Sequence, residues 1–137
     1  MAIKLEQAKG NSQVSILSIE GDLDASNYLE VIDTAKQARD LGAKYLLINM
    51  SDMSFMSSSG LVALHSVALL MRGEEPPDPE YGWEAIRSID RDRDSGIQER
   101  VKLVNPNPRV DRSLESTGLK EYFEIHTDLD MAVSSFA

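Results

Sequence analysis

The chain alternates short apolar runs with segments whose apolar residues return every three or four positions. In QVSILSIEGDLD, Val14, Ile16 and Ser18 alternate with Ser15, Leu17 and Ile19 before the turn residues Gly21 and Asp22. A period of two predicts a strand. Ser26 or Asn27 can then cap a helix, and Glu30 follows Asn27 at capping-box spacing. The helix is expected from about Tyr28 to Leu41, with Val31, Ala35 and Ala38 buried and Glu30, Asp33, Lys36 and Arg39 in water. Gly42 is the expected stop.

Tyr45 to Met50 is almost continuously apolar, which predicts a strand covered on both faces or central in a sheet. A serine-rich joint, MSFMSSSGLVAL from Met53 to Leu64, leads into a second helix beginning near Ser58. Leu61, Leu64, Ala68 and Met71 recur at helical spacing there, and Val62, Ala63, Val67, Leu69 and Leu70 widen the apolar surface beyond an ordinary stripe. That breadth suggests a contact beyond the helix's own sheet, and it leaves room for a dimer.

Residues 73–100 differ in kind. They carry Pro76, Pro77 and Pro79, many charges and little periodicity, and are expected to form an extended, flexible insertion within a single domain spanning 1–137. Trp83 and Tyr81 give that insertion some capacity for contact, and WEAIRSI could form a short helical turn. Order resumes with a strand at Val101 to Val104, then a helix with Asn107 as N-cap, Pro108 in its first turn, Val110, Leu114 and Thr117 inward, and Gly118 at its end. YFEIH predicts a last strand, and Leu129, Ala132, Val133 and Phe136 predict a closing helix over 128–137. The order is strand, strand, helix, strand, helix, insertion, then strand, helix, strand, helix. It implies an α/β layer structure around a mostly parallel sheet.

Composition narrows the function. The formal net charge of −9 disfavours nucleic acid, whose phosphates require a basic patch, and Arg91 and Arg93 are interleaved with Asp90, Asp92 and Asp94. No apolar run approaches the roughly 18 residues of a membrane span, and MAIKLEQAKG lacks a signal-peptide core. With no cysteine, disulfide and thiol chemistry are excluded, and a cytoplasmic setting is expected. His65 and His126 have no ligand-spaced partner, and DRDRD lacks the glycine and terminal glutamate of a calcium loop. FMSSSGL matches neither the GxSxG elbow nor the SxxK pair of serine enzymes, and GxxxxGK[ST] is absent. The chain is therefore expected to be neither an enzyme nor a cofactor protein.

The serine joint remains. Ser57 is a candidate N-cap, which places Ser58 and Ser59 in the first helical turn. The serines either simply cap the helix or accept a phosphoryl group facing free backbone N–H groups and the positive end of the helix dipole. A phosphoryl group would add about −1.5 to −2 charges at neutral pH without requiring the domain to unfold.

Three stretches resemble the STAS family of anti-sigma factor antagonists: GDLDASN, YLLINMSDMSFMSSSGLVAL, and VKLVNPNPRVDRSLESTGLKEYFEIHTDLDMAV. The late stretch matches at Leu103, Asn105, Val110, Leu114, Gly118 and Leu119. The resemblance runs from about Val14 to Val133, interrupted by residues 73–100. It implies a central sheet of mixed, mostly parallel direction with helices mainly on one face. It further implies binding to an anti-sigma factor that is a serine kinase, inactivation by phosphorylation of the serine after the motif aspartate, and resetting by a serine phosphatase. The matching acceptor is Ser58, with Ser57 as the alternative. Ser57 also replaces the family aspartate, and Ser59, Gly60 and Leu61 complete the motif. The partner surface is expected to comprise Asp22, Asp24, Ser26, Ser57, Ser58, Ser59, Gly60, Leu61 and the exposed side of the following helix. The alternative is a non-phosphorylated STAS module that binds protein in a signalling or transport assembly.

Overall fold

A computed structural model describes residues 2–74 and 98–136. The expected insertion, with Trp83 and Tyr81, therefore falls almost wholly outside the described residues. In chain order the elements are β1 (Ala2–Gln7), β2 (Val14–Leu23), α1 (Tyr28–Asp40), β3 (Tyr45–Asn49), β4 (Met53–Met56) and α2 (Ser58–Met71). They continue with β5 (Val101–Val104), α3 (Pro108–Thr117), α4 (Leu119–Tyr122), β6 (Glu124–His126) and α5 (Leu129–Ser134).

The sheet runs β1-β2-β3-β5-β6, with β4 also paired to β2. Only β1 is antiparallel to its neighbour; the β2–β3, β2–β4, β3–β5 and β5–β6 pairs are parallel. The register explains the joint. β3 pairs with Val14–Ser18, and β4 takes up beside Gly21–Leu23 where β3 leaves off.

The alternation of β2 sorts its residues between two cores. Leu17 and Ile19, with Leu46, Ile48, Val101 and Leu103, pack against Val31, Ala35 and Ala38 of α1, the α2 stripe, and Val110, Leu114 and Tyr122. Val14 and Ile16, with Leu47 and Val104, meet Ala132 and Phe136 beyond the other face. Neighbouring positions of a strand point to opposite faces, so a continuous apolar run such as β3 serves both cores. Most helices lie on the first face and α5 covers the second.

Several local expectations are corrected. Neither Ser26 nor Asn27 caps α1 with its side chain: Asn27 Oδ1 accepts from the Asp24 N–H at 2.9 Å, and Ser26 Oγ donates to Asp24 Oδ1 at 2.5 Å. These short polar side chains satisfy the loop rather than the helix end. Within YFEIH only Glu124–His126 is strand, because Tyr122 ends α4 and both Tyr122 and Phe123 are buried in the main core. The closing helix is also shorter than the pattern suggested, and Asp128 caps it by accepting from the Met131 N–H at 2.9 Å. Asn107 does cap α3, accepting from the Val110 N–H at 2.9 Å, and Gly118 ends it at φ 81, where a side chain would be strained.

The largest correction concerns α2. Every residue from Val62 to Met71 is buried, so the helix offers no exposed side beyond its first turn. It packs against α1 as well as the sheet core. The breadth of its apolar surface is thus explained within the chain, and the reason for expecting a dimer through α2 disappears.

Candidate functional site

The ends of β2 and β4 open at the same end of the sheet. Leu23 pairs with Met56, and the Ser57 N–H donates to the Leu23 carbonyl at 2.9 Å. The loop after Leu23 and the serine joint after Met56 are therefore neighbours. Asp22 and Ser26 are exposed and Asp24 is half-buried. The loop is held by its own polar groups: Asp24 Oδ1 accepts from both the N–H and the hydroxyl of Ser26, and Asn27 Nδ2 donates to the Asp22 carbonyl at 2.8 Å. The Ser26 bonds, hydroxyl first and backbone second, hold the Asp24 carboxyl below its ordinary range.

At the joint the three serines take different roles. Ser57 occupies the N-cap position with extended backbone, yet its side chain makes no capping bond. Its Oγ is buried and lacks a hydrogen-bond partner among the described residues. Ser58 is the first helical residue and is exposed; Ser59 is half-buried. The first helical bond runs from the Leu61 N–H to the Ser57 carbonyl at 3.2 Å, leaving the N–H groups of Ser58, Ser59 and Gly60 ahead of the ladder. The first turn contains no acidic residue.

Gly60 sets how closely this turn approaches the strands. A Cβ there would lie 2.5 Å from Met56 Cγ and 3.0 Å from Leu23 Cγ. Only a residue without a side chain lets α2 start so near β2 and β4. Leu61 is half-buried and packs against the main core, so it presents only part of its side chain outside. The candidate residues thus meet at one end of the sheet, with Ser58 outward and Ser57 Oγ and Gly60 inward.

The described residues contain no cluster of three or more His, Asp or Glu side chains able to hold a metal. His65 is buried in α2 with its ring 5.9 Å from that of Tyr122, and His126 Nε2 lies 2.7 Å from Glu124 Oε1. No helix among the described residues is long and apolar enough to cross a membrane.

One feature beside the site had no reading in the sequence. The β2–β4 register slips between Gly21 and Asp22, so that Gly21 faces Met53 but Asp22 faces Phe55. Ser54 is the extra residue of a bulge, and Phe55 comes out on the surface beside α3. A four-residue run with buried methionines at both ends gives no sequence sign of this slip.

The family model described as STAS domain matches residues 6–73. Solved structures share the fold over nearly the whole chain. An anti-sigma factor antagonist from Mycobacterium paratuberculosis is 19% identical, with a TM-score of 0.67 over 98% of this chain and 92% of that one. The anti-sigma factor antagonist SpoIIAA in its unphosphorylated form is 22% identical, with a TM-score of 0.62 over 97% and 94%. The Bacillus cell fate determinant SpoIIAA in its phosphorylated form is 20% identical, with a TM-score of 0.57 over 99% and 100%. No curated protein sequence matches the chain. Residues 6–73 thus match the STAS domain, and the chain shares its fold with these solved structures.

Proposed function

We propose that this STAS domain is an anti-sigma factor antagonist that docks on a serine-kinase anti-sigma factor and is switched off by phosphorylation of Ser58. The observation that carries the reading is the division of labour at the joint. Ser58 is exposed on the first turn of a helix that is otherwise buried, while the Ser57 hydroxyl is turned inward. A kinase can reach the first without disturbing the second, so Ser58 is preferred over Ser57 as the acceptor. That SpoIIAA, of similar fold, has been solved both with and without phosphorylation supports a switch on this scaffold.

The physical consequence follows from charge. The docking face comprises Asp22, Asp24, Ser26 and the Ser57–Leu61 turn. A dianion added at Ser58 enters a surface that must lose water on binding. A penalty of about 3 kcal/mol there would weaken the complex roughly a hundredfold. A serine phosphatase would restore affinity. Catalysis belongs to the partner, and this chain supplies the hydroxyl and the surface.

Ser57 in the place of the motif aspartate favours a second reading, a STAS binding module without a switch. The two part on one experiment. The chain is used to capture its kinase partner, the pair is incubated with ATP, and the products are mapped by mass spectrometry. The antagonist reading expects one dominant site at Ser58, its loss in Ser58→Ala, and about hundredfold weaker binding by Ser58→Asp. Equal affinity of wild type and Ser58→Asp would establish the non-switching module instead, and modification centred on Ser57 would overturn the choice of acceptor.

A further inference from the structure

We propose that the groove between β4 and α3 is a second docking site, which takes an acidic, apolar-bearing segment of a protein partner. The groove is about 340 Å³ and is lined by Phe55, Arg109, Arg112, Ser113 and Ser116. The bulge at Ser54 is its origin. Regular alternation after Met53 would send Phe55 inward and Met56 outward; the extra residue reverses both. An aromatic ring is thereby left on the surface, 36% exposed, where few large apolar side chains among the described residues lie outside. The Arg109 guanidinium lies over that ring, 5.1 Å from its centroid.

Among the described residues, no carboxylate forms an ion pair with Arg109 or Arg112. Of the two acids of α3, Asp111 Oδ2 holds Lys120 Nζ at 3.0 Å, and the charge of Glu115 acts on the same lysine. Arg109, Arg112, Ser113 and Ser116 share one helical face, while Val110 and Leu114 take the core side. Ser113 and Ser116 donate their hydroxyl protons to carbonyls of α3 itself, so towards a ligand they offer only lone pairs. Asn107 fixes the geometry by donating to the Met53 and Ser54 carbonyls at 2.9 and 3.2 Å, which ties the start of α3 to the bulged strand.

Guanidiniums beside an aromatic face form a planar, weakly hydrated surface suited to carboxylates and an adjoining apolar side chain. The rest of the chain selects among anions. At a net charge of −9, a long polyanion such as nucleic acid is repelled over most of its length, whereas a short acidic segment meets only the groove. Phe55 stands three positions before Ser58, so the groove adjoins the proposed docking face. The inference rests on the chain's being a protein-binding domain, not on the Ser58 switch.

The test is a titration of the isotopically labelled full chain with a short synthetic peptide alternating glutamate and leucine, followed by amide chemical shifts. Saturable shifts are expected at Phe55 and along Arg109–Ser116, weakening with added salt. Arg109→Glu with Arg112→Glu should weaken binding at least about tenfold, and Phe55→Ala about fivefold, with circular dichroism unchanged. The titration contains neither kinase nor ATP and reads no phosphorylation, so failure of the switch and failure of the groove are distinguishable. The proposal is overturned by equal binding of the lysine–leucine counterpart, by shifts centred elsewhere, by displacement of the peptide by an equimolar oligothymidine, or by no saturable shift at millimolar peptide.

Discussion

Ser57 and Ser58 are adjacent and chemically identical, yet their hydroxyls have opposite surroundings. Ser57 Oγ is buried without a partner among the described residues, a condition that costs about 1–3 kcal/mol per polar group. A serine that truly caps a helix contributes about 1 kcal/mol, lost on truncation to alanine. Ser57 makes no such bond, so Ser57→Ala should change stability by less than about 0.5 kcal/mol or raise it slightly. Urea unfolding measures this directly; a loss above about 1 kcal/mol would mean that the hydroxyl caps α2 in solution. The composition of the joint was plain in the sequence. Which hydroxyl faces water was not, because side-chain direction at a helix start depends on the strand end packed beneath it.

Elements are joined here by close approach. Gly60 lets the first turn of α2 rest on Leu23 and Met56, and the same contact holds Ser58 at the rim. Gly60→Ala would press a methyl group into Met56, and such overpacking costs about 1–3 kcal/mol unless the methionine end shifts aside. The expected outcome is a lowered urea midpoint with the slope retained; an unchanged midpoint would show that Met56 yields freely. Periodicity revealed β2, α1, β3, α2 and α3, and turn chemistry located Asn107 and Gly118. β4 and its bulge were hidden, since a register slip is a relation between two strands and leaves no period in either. The four-residue α4 was hidden for a similar reason: Tyr122 and Phe123 suit a strand by type, but the core holds them where the chain turns.

Across the whole molecule, charge enters stability through a few placed groups. Burial works against ionisation of Glu124, but hydrogen bonds and charge from Lys102 and then His126 outweigh it, and its pKa is lowered. Lys102 Nζ lies 3.1 Å from Glu124 Oε2, donates to the Ser135 hydroxyl at 2.9 Å, and sits over the Phe136 ring at 4.7 Å. That cluster fastens β5 and β6 to the C-terminal end of α5. Asp24 is lowered by its Ser26 bonds as described. Because both carboxyls bind protons more weakly in the fold than in the unfolded chain, their stabilisation is present above the ordinary values of 3.8 and 4.5 and disappears as pH falls through the lowered ones. Lys120, raised by its bond to Asp111, acts in the opposite direction and loses its contribution only as pH climbs past 10.5. Stability followed by urea midpoint should therefore hold from neutral pH to about 5 and then decline, and Glu124→Gln should flatten that decline. An identical acid profile in Glu124→Gln would remove Glu124 from the account.

The sequence by itself determined the α/β class, the mostly parallel sheet, the placement of a serine-rich turn at a strand-to-helix joint, and the likeness to the STAS family. These follow from local periods, turn residues and ordered motifs, which act over a few residues and survive in one dimension. Only the tertiary structure decided that α2 is buried from Val62 onward, that the Ser57 hydroxyl is buried where Ser58 is exposed, and that Phe55 emerges beside Arg109 and Arg112. Each of these depends on what a distant segment covers or leaves open, and burial is a property of neighbours in space that no single stretch of chain encodes.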